Sequence, residues 1–283
     1  MEMASSQTPI GQLLREWRRR RRLSQLELAL DAGISARHLS FIETGRSKPG
    51  REVLLCVVEH LQIPLRERNQ LLLAAGHAPA FPERSLVDRE LAPVRNALDR
   101  ILTAHQPYPA LAIDRGWNVV AANSAIGVLA EWIDRELLNP PINALEIGFH
   151  PRGLAPWVVN LGQVRAYFLE RIERQIAVTA DDRLDELREM VACSPAPDHP
   201  RLPPGEAAAR EILTPLRLRT PDGQDLSFLG TVASFGFAGE VTTSELSIEL
   251  LFPADRATAE FFEDIDREES DHTQVTGGGD GYE

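Results

Sequence analysis

From Pro9 to Ala75 apolar residues recur at helical spacing. Ile10, Leu13, Leu14 and Trp17 form one stripe, which predicts a helix from Pro9, a residue favoured in a first turn, to Arg22. Leu28, Ile34, Leu39 and Ile42 then supply the contacts of two short helices joined by a tight turn. Ala29 is small where the helices cross, and Gly33 sits where a positive φ is expected. Ser24 and Glu27 have the spacing of a capping box for the first of these helices, and Ser35 caps the second. Two more amphipathic helices follow over 52–61 and 66–75, with Pro64 between them and Gly76 as a stop. The prolines of 77–82 cannot sit inside a helix and mark a linker.

Beyond the linker the pattern alternates between helix and strand. Leu91, Val94, Leu98, Ile101 and Leu102 predict a helix from Ser85 to about Ala104. Residues 109–123 read as a strand, an Asp-Arg-Gly turn and a second strand, and Asn123-Ser124-Ala125 opens a helix. A helical stretch covers about 145–191, with an apolar-periodic helix over 158–176 and another opened by Asp181-Asp182. A proline-rich loop runs over 194–205. Three strand signals close the pattern: 213–220 and 226–237 around the turn Pro221-Asp222-Gly223-Gln224, then 245–252. The expected fold class is therefore α+β, a five-helix unit followed by a domain with a five-stranded antiparallel sheet and helices. The boundaries are 9–77, a linker 78–87, and 88–260. Residues 261–283 are expected to be an acidic disordered tail, because 263–283 carry eight acidic side chains and one arginine.

Charge sharpens this division. The chain of 283 residues has a net charge of −12, yet residues 1–51 hold ten basic and five acidic side chains, a local +5 that leaves −17 on the rest. Phosphate affinity follows the local field, so the balance fits a DNA-binding unit on an acidic body. Arg18 to Arg22 serve either phosphate steering or a solvated face. No apolar run approaches a membrane span, and the N-terminus lacks a signal-peptide hydrophobic region. Cys56 and Cys193 show no metal or redox spacing and are expected as unpaired packing residues, so the expected location is cytoplasmic with no membrane partner.

The residues Leu23-Ser24-Gln25, Leu28-Ala29, Gly33-Ile34 and Ile42-Glu43-Thr44-Gly45-Arg46 resemble the phage-repressor-like, xenobiotic-response-element (XRE) class of helix-turn-helix proteins. The resemblance implies that Gln25 contacts a phosphate and that Ala36, Arg37, Ser40 and Phe41 face base edges. It also implies that Thr44 to Lys48 approach the backbone and that Arg18 pairs internally with Glu43. The chemistry agrees: Arg37 can contact guanine O6 and N7 together, worth roughly 1–3 kcal/mol of discrimination. Ser35 opens the reading helix. Ser40 bonds to several bases, while Arg46 and Lys48 suit phosphates. His38 suits a phosphate or is simply solvated. Phe41 can touch a thymine methyl or pack against the next helix. A helical hairpin used only for packing or protein contact is the alternative.

Strands, helices and then three antiparallel strands is the succession of a PAS-like domain. The pieces His38-Leu-Ser-Phe-Ile-Glu-Thr-Gly-Arg-Ser-Lys-Pro49, Val120-Ala-Ala-Asn123, His150-Pro-Arg-Gly-Leu154, Leu216-Arg-Leu-Arg219, Leu226-Ser-Phe228 and Leu251-Phe-Pro-Ala-Asp255 resemble XRE-type regulators with an MmyB-like (MLTR) ligand-binding domain. That resemblance implies a one-component bacterial regulator whose PAS-like domain binds an apolar small molecule, fatty-acid-like in some members, with no other cofactor. Tyr108, Trp117, Asn123, Phe149, Trp157, Phe168, Phe235 and Phe237 are candidate pocket residues, each also explained by core packing. His105, His150 and Arg165 are candidates for a ligand carboxylate. A double-stranded DNA operator read by a homodimer is expected, since one helix-turn-helix makes too few base contacts for operator affinity. An enzyme is not expected, because no nucleophile elbow, metal spacing or phosphate loop occurs.

Overall fold

In a computed structural model the described residues are 9–195, 215–236 and 238–276. They divide into two compact units. The first holds residues 9–85 with 174–181 and 238–244, and the second holds the others.

The first unit is built on five helices: α1 (Pro9–Arg20), α2 (Gln25–Asp31), α3 (Ala36–Glu43), α4 (Arg51–His60) and α5 (Leu65–Ala74). Their stripes meet in one core in which Leu28, Leu39, Ile42, Leu54, Val58, Leu61 and Leu72 have no exposed surface. The capping box forms in full: Ser24 Oγ accepts the Glu27 N–H at 3.1 Å, and Glu27 Oε2 accepts the Ser24 N–H at 2.7 Å. Gly33 takes φ +65° in the turn into α3. Gly11 explains a close approach that the sequence hides. A Cβ there would lie 2.5 Å from Ile42 O and 2.8 Å from Glu43 O, so α1 meets the end of α3 backbone to backbone.

The linker is packed against this unit rather than free. Asn69 on α5 donates to Phe81 O at 2.7 Å and accepts the N–H groups of Ala80 and Phe81, while Arg51 reaches Ala78 O. The short helix α11 (Val241–Ser244) joins the same unit through residues 82–84. Val241 N–H donates to Pro82 O, Thr242 Oγ1 to Arg84 O, and Glu240 accepts the Arg84 N–H.

The second unit carries β1 (Ala110–Ile113), β2 (Val119–Ala122), β3 (Leu216–Arg219), β4 (Asp225–Ala233) and β5 (Ser247–Pro253). All pairings are antiparallel, in the order β2-β1-β5-β4-β3. Register sorts the side chains by face. Ala110, Ala112, Ile248 and Leu250 share the face packed by Leu98 and Leu102 of α6 (Ala92–Ala104). Leu218, Leu226, Phe228 and Glu249 share the other. The remaining α-helices are α7 (Ala125–Ala130), α8 (Ala144–Phe149), α9 (Leu161–Thr179), whose residues from 174 on belong to the first unit, α10 (Arg183–Cys193) and α12 (Arg256–Thr276).

Three expectations change here. The helix expected within 85–104 starts as an α-helix only at Ala92, after a 3-10 turn at Arg89–Leu91, because Pro93 lies in its first turn and disfavours helix before it. Of the stretch 261–283, expected to be disordered, residues as far as Thr276 are helical, and 277–283 lie outside the described residues. Composition underrated its anchor, since Phe262 is buried against Phe228 at 5.7 Å between ring centroids. Cys56 is half-buried as a packing residue, whereas Cys193 is exposed.

Candidate functional site

Helix α3, the second of the two helices joined by the tight turn, is fixed from beneath and open outside. Ser35 Oγ caps it by accepting the His38 N–H at 3.1 Å, and Thr44 ends it, with its hydroxyl donating to Ser40 O at 2.7 Å. Leu39 and Ile42 are buried, while Ser35, Arg37, Arg46 and Lys48 are exposed, and Ala36, His38, Ser40, Phe41 and Thr44 are half-buried. The sequence-predicted residues thus lie together on α3 and the turn after it. Phe41 does not stand alone on that surface, because the guanidinium carbons of Arg37 and Arg46 lie 5.3 and 5.8 Å from its ring centroid.

Gln25 has an internal task. Its amide donates to Glu43 Oε2 at 2.8 Å, completing a network in which Glu43 also accepts two hydrogen bonds from Arg18. Glu43 has no exposed side-chain surface. Burial alone would raise its carboxyl, but hydrogen bonds from Arg18 and Gln25 and the charges of Arg18 and Arg15 outweigh this and hold it below the usual range. This ties the start of α2 and the end of α1 to the end of α3. The pair implied by the XRE resemblance is formed, and its role is structural.

In the second unit the candidate pocket residues separate into distinct places. Trp117, Phe149 and Phe168 form one cluster, with centroids 5.6 and 5.8 Å apart around Phe168 and Tyr167 at 5.2 Å. Trp117 reaches it from a turn with φ +67°, in which Asp114 Oδ1 accepts the N–H groups of Gly116 and Asn118. Arg171 covers the Trp117 ring at 4.6 Å and donates twice to Glu249 on β5. Sequence reasoning missed that pair, although a lone acid between Ile248 and Leu250 is a visible signal. Trp157 lies apart, with its Nε1–H donating to Trp132 O.

Other candidates are committed elsewhere. Asn123 braces the hairpin, donating to Leu102 O and Tyr108 O and accepting the Ala110 N–H. Tyr108 donates to Glu263, and Phe235 packs on the α6 side of the sheet. Phe237 lies outside the described residues. The three carboxylate candidates all engage backbone: Arg165 donates to Ser194 O, His105 to Leu251 O, and His150 Nδ1 accepts the Arg152 N–H. Among the described residues no cluster could hold a metal ion, and no helix is long and apolar enough to cross a membrane.

Comparison with known proteins fits both units. Residues 9–71 match a helix-turn-helix domain family, and residues 94–264, more than half of the chain, match the MmyB-like transcription regulator ligand binding domain. An uncharacterized HTH-type transcriptional regulator of Bacillus subtilis (strain 168), RghRB, is 42% identical over 77 residues. That match spans 27% of this chain and 53% of the relative, about half its length. Among solved structures, the clp gene regulator ClgR from Corynebacterium glutamicum aligns with 35% of this chain and 93% of its own, at 24% identity and a TM-score of 0.22. An RNA-binding light-oxygen-voltage receptor aligns with 95% of this chain and 65% of its own, at 15% identity and a TM-score of 0.27. The helix-turn-helix geometry of α2 and α3 and the match over 94–264 together place the chain in the family of MmyB-like transcription regulators, with a DNA-binding helix-turn-helix and a ligand-binding domain.

Proposed function

We propose that the chain is a one-component bacterial regulator, working in the cytoplasm, that reads a two-fold DNA operator as a homodimer and responds to a small apolar ligand. The observation that carries the reading is the exposed cationic surface of α3 and its following turn, joined in one chain to a family ligand-binding domain. In this reading Arg37 reads bases, with Ala36, Ser40 and Phe41 beside it. Arg46, Lys48 and His38 position the helix on phosphates, and the Ser35 and Thr44 ends of α3 approach the backbone. Pairing of two half-sites supplies the affinity that one helix lacks. Trp117, Phe149 and Phe168 provide the aromatic wall for an apolar, fatty-acid-like molecule. Its acid group, if it has one, competes with Glu249 for Arg171, because Arg165 is already bonded to Ser194. Ligand alters DNA binding only through a difference in its affinity for two states of the protein.

The test is mass spectrometry of molecules released from gently purified protein, with gel-shift titration of promoter-region and random DNA before and after adding cellular lipid extract. An apolar molecule in stoichiometric yield that changes the promoter shift supports the reading. Empty protein with equal affinity for both DNAs overturns it. A protein-interaction module is the second reading, favoured by Leu26 and Leu30, which lie one turn apart on α2 and are 60% and 71% exposed. Arg37→Ala separates the two, since an interaction module is indifferent to it.

A further inference from the structure

Arg37, Phe41 and Arg46 form a stack with an unusual charge balance. Two guanidinium groups converge on one ring, at 5.3 and 5.8 Å from its centroid. Among the described residues neither arginine makes an ion pair or a side-chain hydrogen bond. Both carry a positive charge, and among the described residues no carboxylate pairs with either. What holds them is the negative face of the ring and the backbone. Arg37 lies one turn before Phe41 on α3. Arg46 is brought back by a turn in which Gly45 takes φ +73° and the Arg46 and Ser47 N–H groups both donate to Phe41 O, at 2.8 and 3.1 Å.

We propose that Phe41 is a positioning residue for DNA recognition. Its ring presets Arg37 and Arg46 as a pair, so that a base-reading and a phosphate-binding guanidinium arrive in fixed register. The inference rests on the assignment of α3 as the DNA-reading helix. A free arginine side chain loses much rotamer freedom when it binds, and a side chain already stacked loses less. The uncompensated charge has a use on this account, because DNA supplies the missing anion. A ring acting on a thymine methyl would need only its apolar surface, whereas a ring holding cations needs its π face. Leucine and methionine keep the first property and lose the second.

The test uses the full chain and a duplex enriched by the native protein from a randomised library, with a scrambled duplex as control. Binding is measured for the native protein, Phe41→Leu, Phe41→Met, Phe41→Trp, Arg37→Ala and the Phe41→Leu/Arg37→Ala double variant, with thermal unfolding in parallel. Phe41→Leu and Phe41→Met are expected to lose roughly five- to thirty-fold on the enriched duplex and less on the scrambled one. Phe41→Trp should stay within roughly twofold of native, and Phe41→Leu should cost less when Arg37 is already alanine. Leucine and methionine variants that bind like the native protein overturn the positioning role alone. So does a loss that Phe41→Trp shares and that is equal in the Arg37→Ala background. A native protein without preference for the enriched duplex removes the DNA-reading assignment, and the positioning role with it.

Discussion

Arg18 grips Glu43 with one edge of its guanidinium, Nε to Oε1 at 2.6 Å and Nη2 to Oε2 at 2.8 Å, and the carboxylate has no exposed surface. Removing one partner of such a pair costs about 3–5 kcal/mol when nothing else compensates the buried charge, and the lower end applies here because Gln25 and Arg15 still face the carboxylate. Arg18→Ala should therefore lower stability by about that amount and weaken DNA binding only through loss of folded protein. Glu43→Gln, which retains the shape and one of the two accepting oxygens, should cost less. The Glu43 carboxyl is held low in the folded chain, so its stabilisation is complete above the unfolded value of about 4.3 and is lost as pH falls through the lower folded value. Urea titrations from neutral to acid pH check this: native stability should fall on the acid side, and the fall should be shallower in Glu43→Gln.

Gly11 offers a sharper test of packing. Alanine raises intrinsic helix stability by about 1 kcal/mol over glycine in a helix interior. Here its Cβ would meet two backbone oxygens at 2.5 and 2.8 Å, and forcing atoms into a filled site costs about 1–3 kcal/mol. Gly11→Ala should be net destabilising in thermal unfolding, opposite in sign to the propensity effect.

Glu240 should govern how firmly residues 238–244 are held. Its carboxylate accepts from Arg84 N, Thr242 N, Thr243 N and Thr243 Oγ1. Glu240→Ala leaves several of these donors without an acceptor, at about 1–3 kcal/mol. Hydrogen exchange should rise at Arg84, Thr242 and Thr243 while the amides of α2 and α3 stay protected.

Glu249 should matter to the ligand-binding domain through Arg171. Glu249→Ala frees a guanidinium that is mostly buried over Trp117, and a loss of about 2–3 kcal/mol is expected, less than for a fully buried pair. Tryptophan fluorescence should shift as well, because Arg171 covers the Trp117 ring. An unchanged spectrum and midpoint would show that the pair contributes little.

Much of the fold was legible because apolar spacing reports burial directly. Leu28, Leu39 and Ile42 recur on one face and are buried, and Ser24 and Glu27 sit at the interval a capping box requires. What escaped depends on where side chains meet in space. Gly11 looks like an ordinary glycine in a helix until α3 is placed against it. Asn69 shows no pattern, yet its one amide fixes the linker with three hydrogen bonds. The acidic run after Phe262 suggests disorder when its composition is averaged, whereas one buried ring, Phe262 against Phe228, anchors the helical start. Candidate ligand residues were chosen as aromatic and near the sheet. Proximity to the sheet brings in Trp117, Phe149 and Phe168, which do pack together, and equally Asn123, whose amide is used within the hairpin.

The most direct measurement is the affinity of native protein and Arg37→Ala for an enriched duplex and a scrambled one, by fluorescence anisotropy at matched salt. The native protein should bind the enriched duplex at least ~1,000-fold more tightly. Arg37→Ala should lose about 1–3 kcal/mol on it, with a much smaller loss on the scrambled duplex. Equal native affinity for both duplexes, or an Arg37→Ala variant with full preference, would contradict sequence-specific reading by α3.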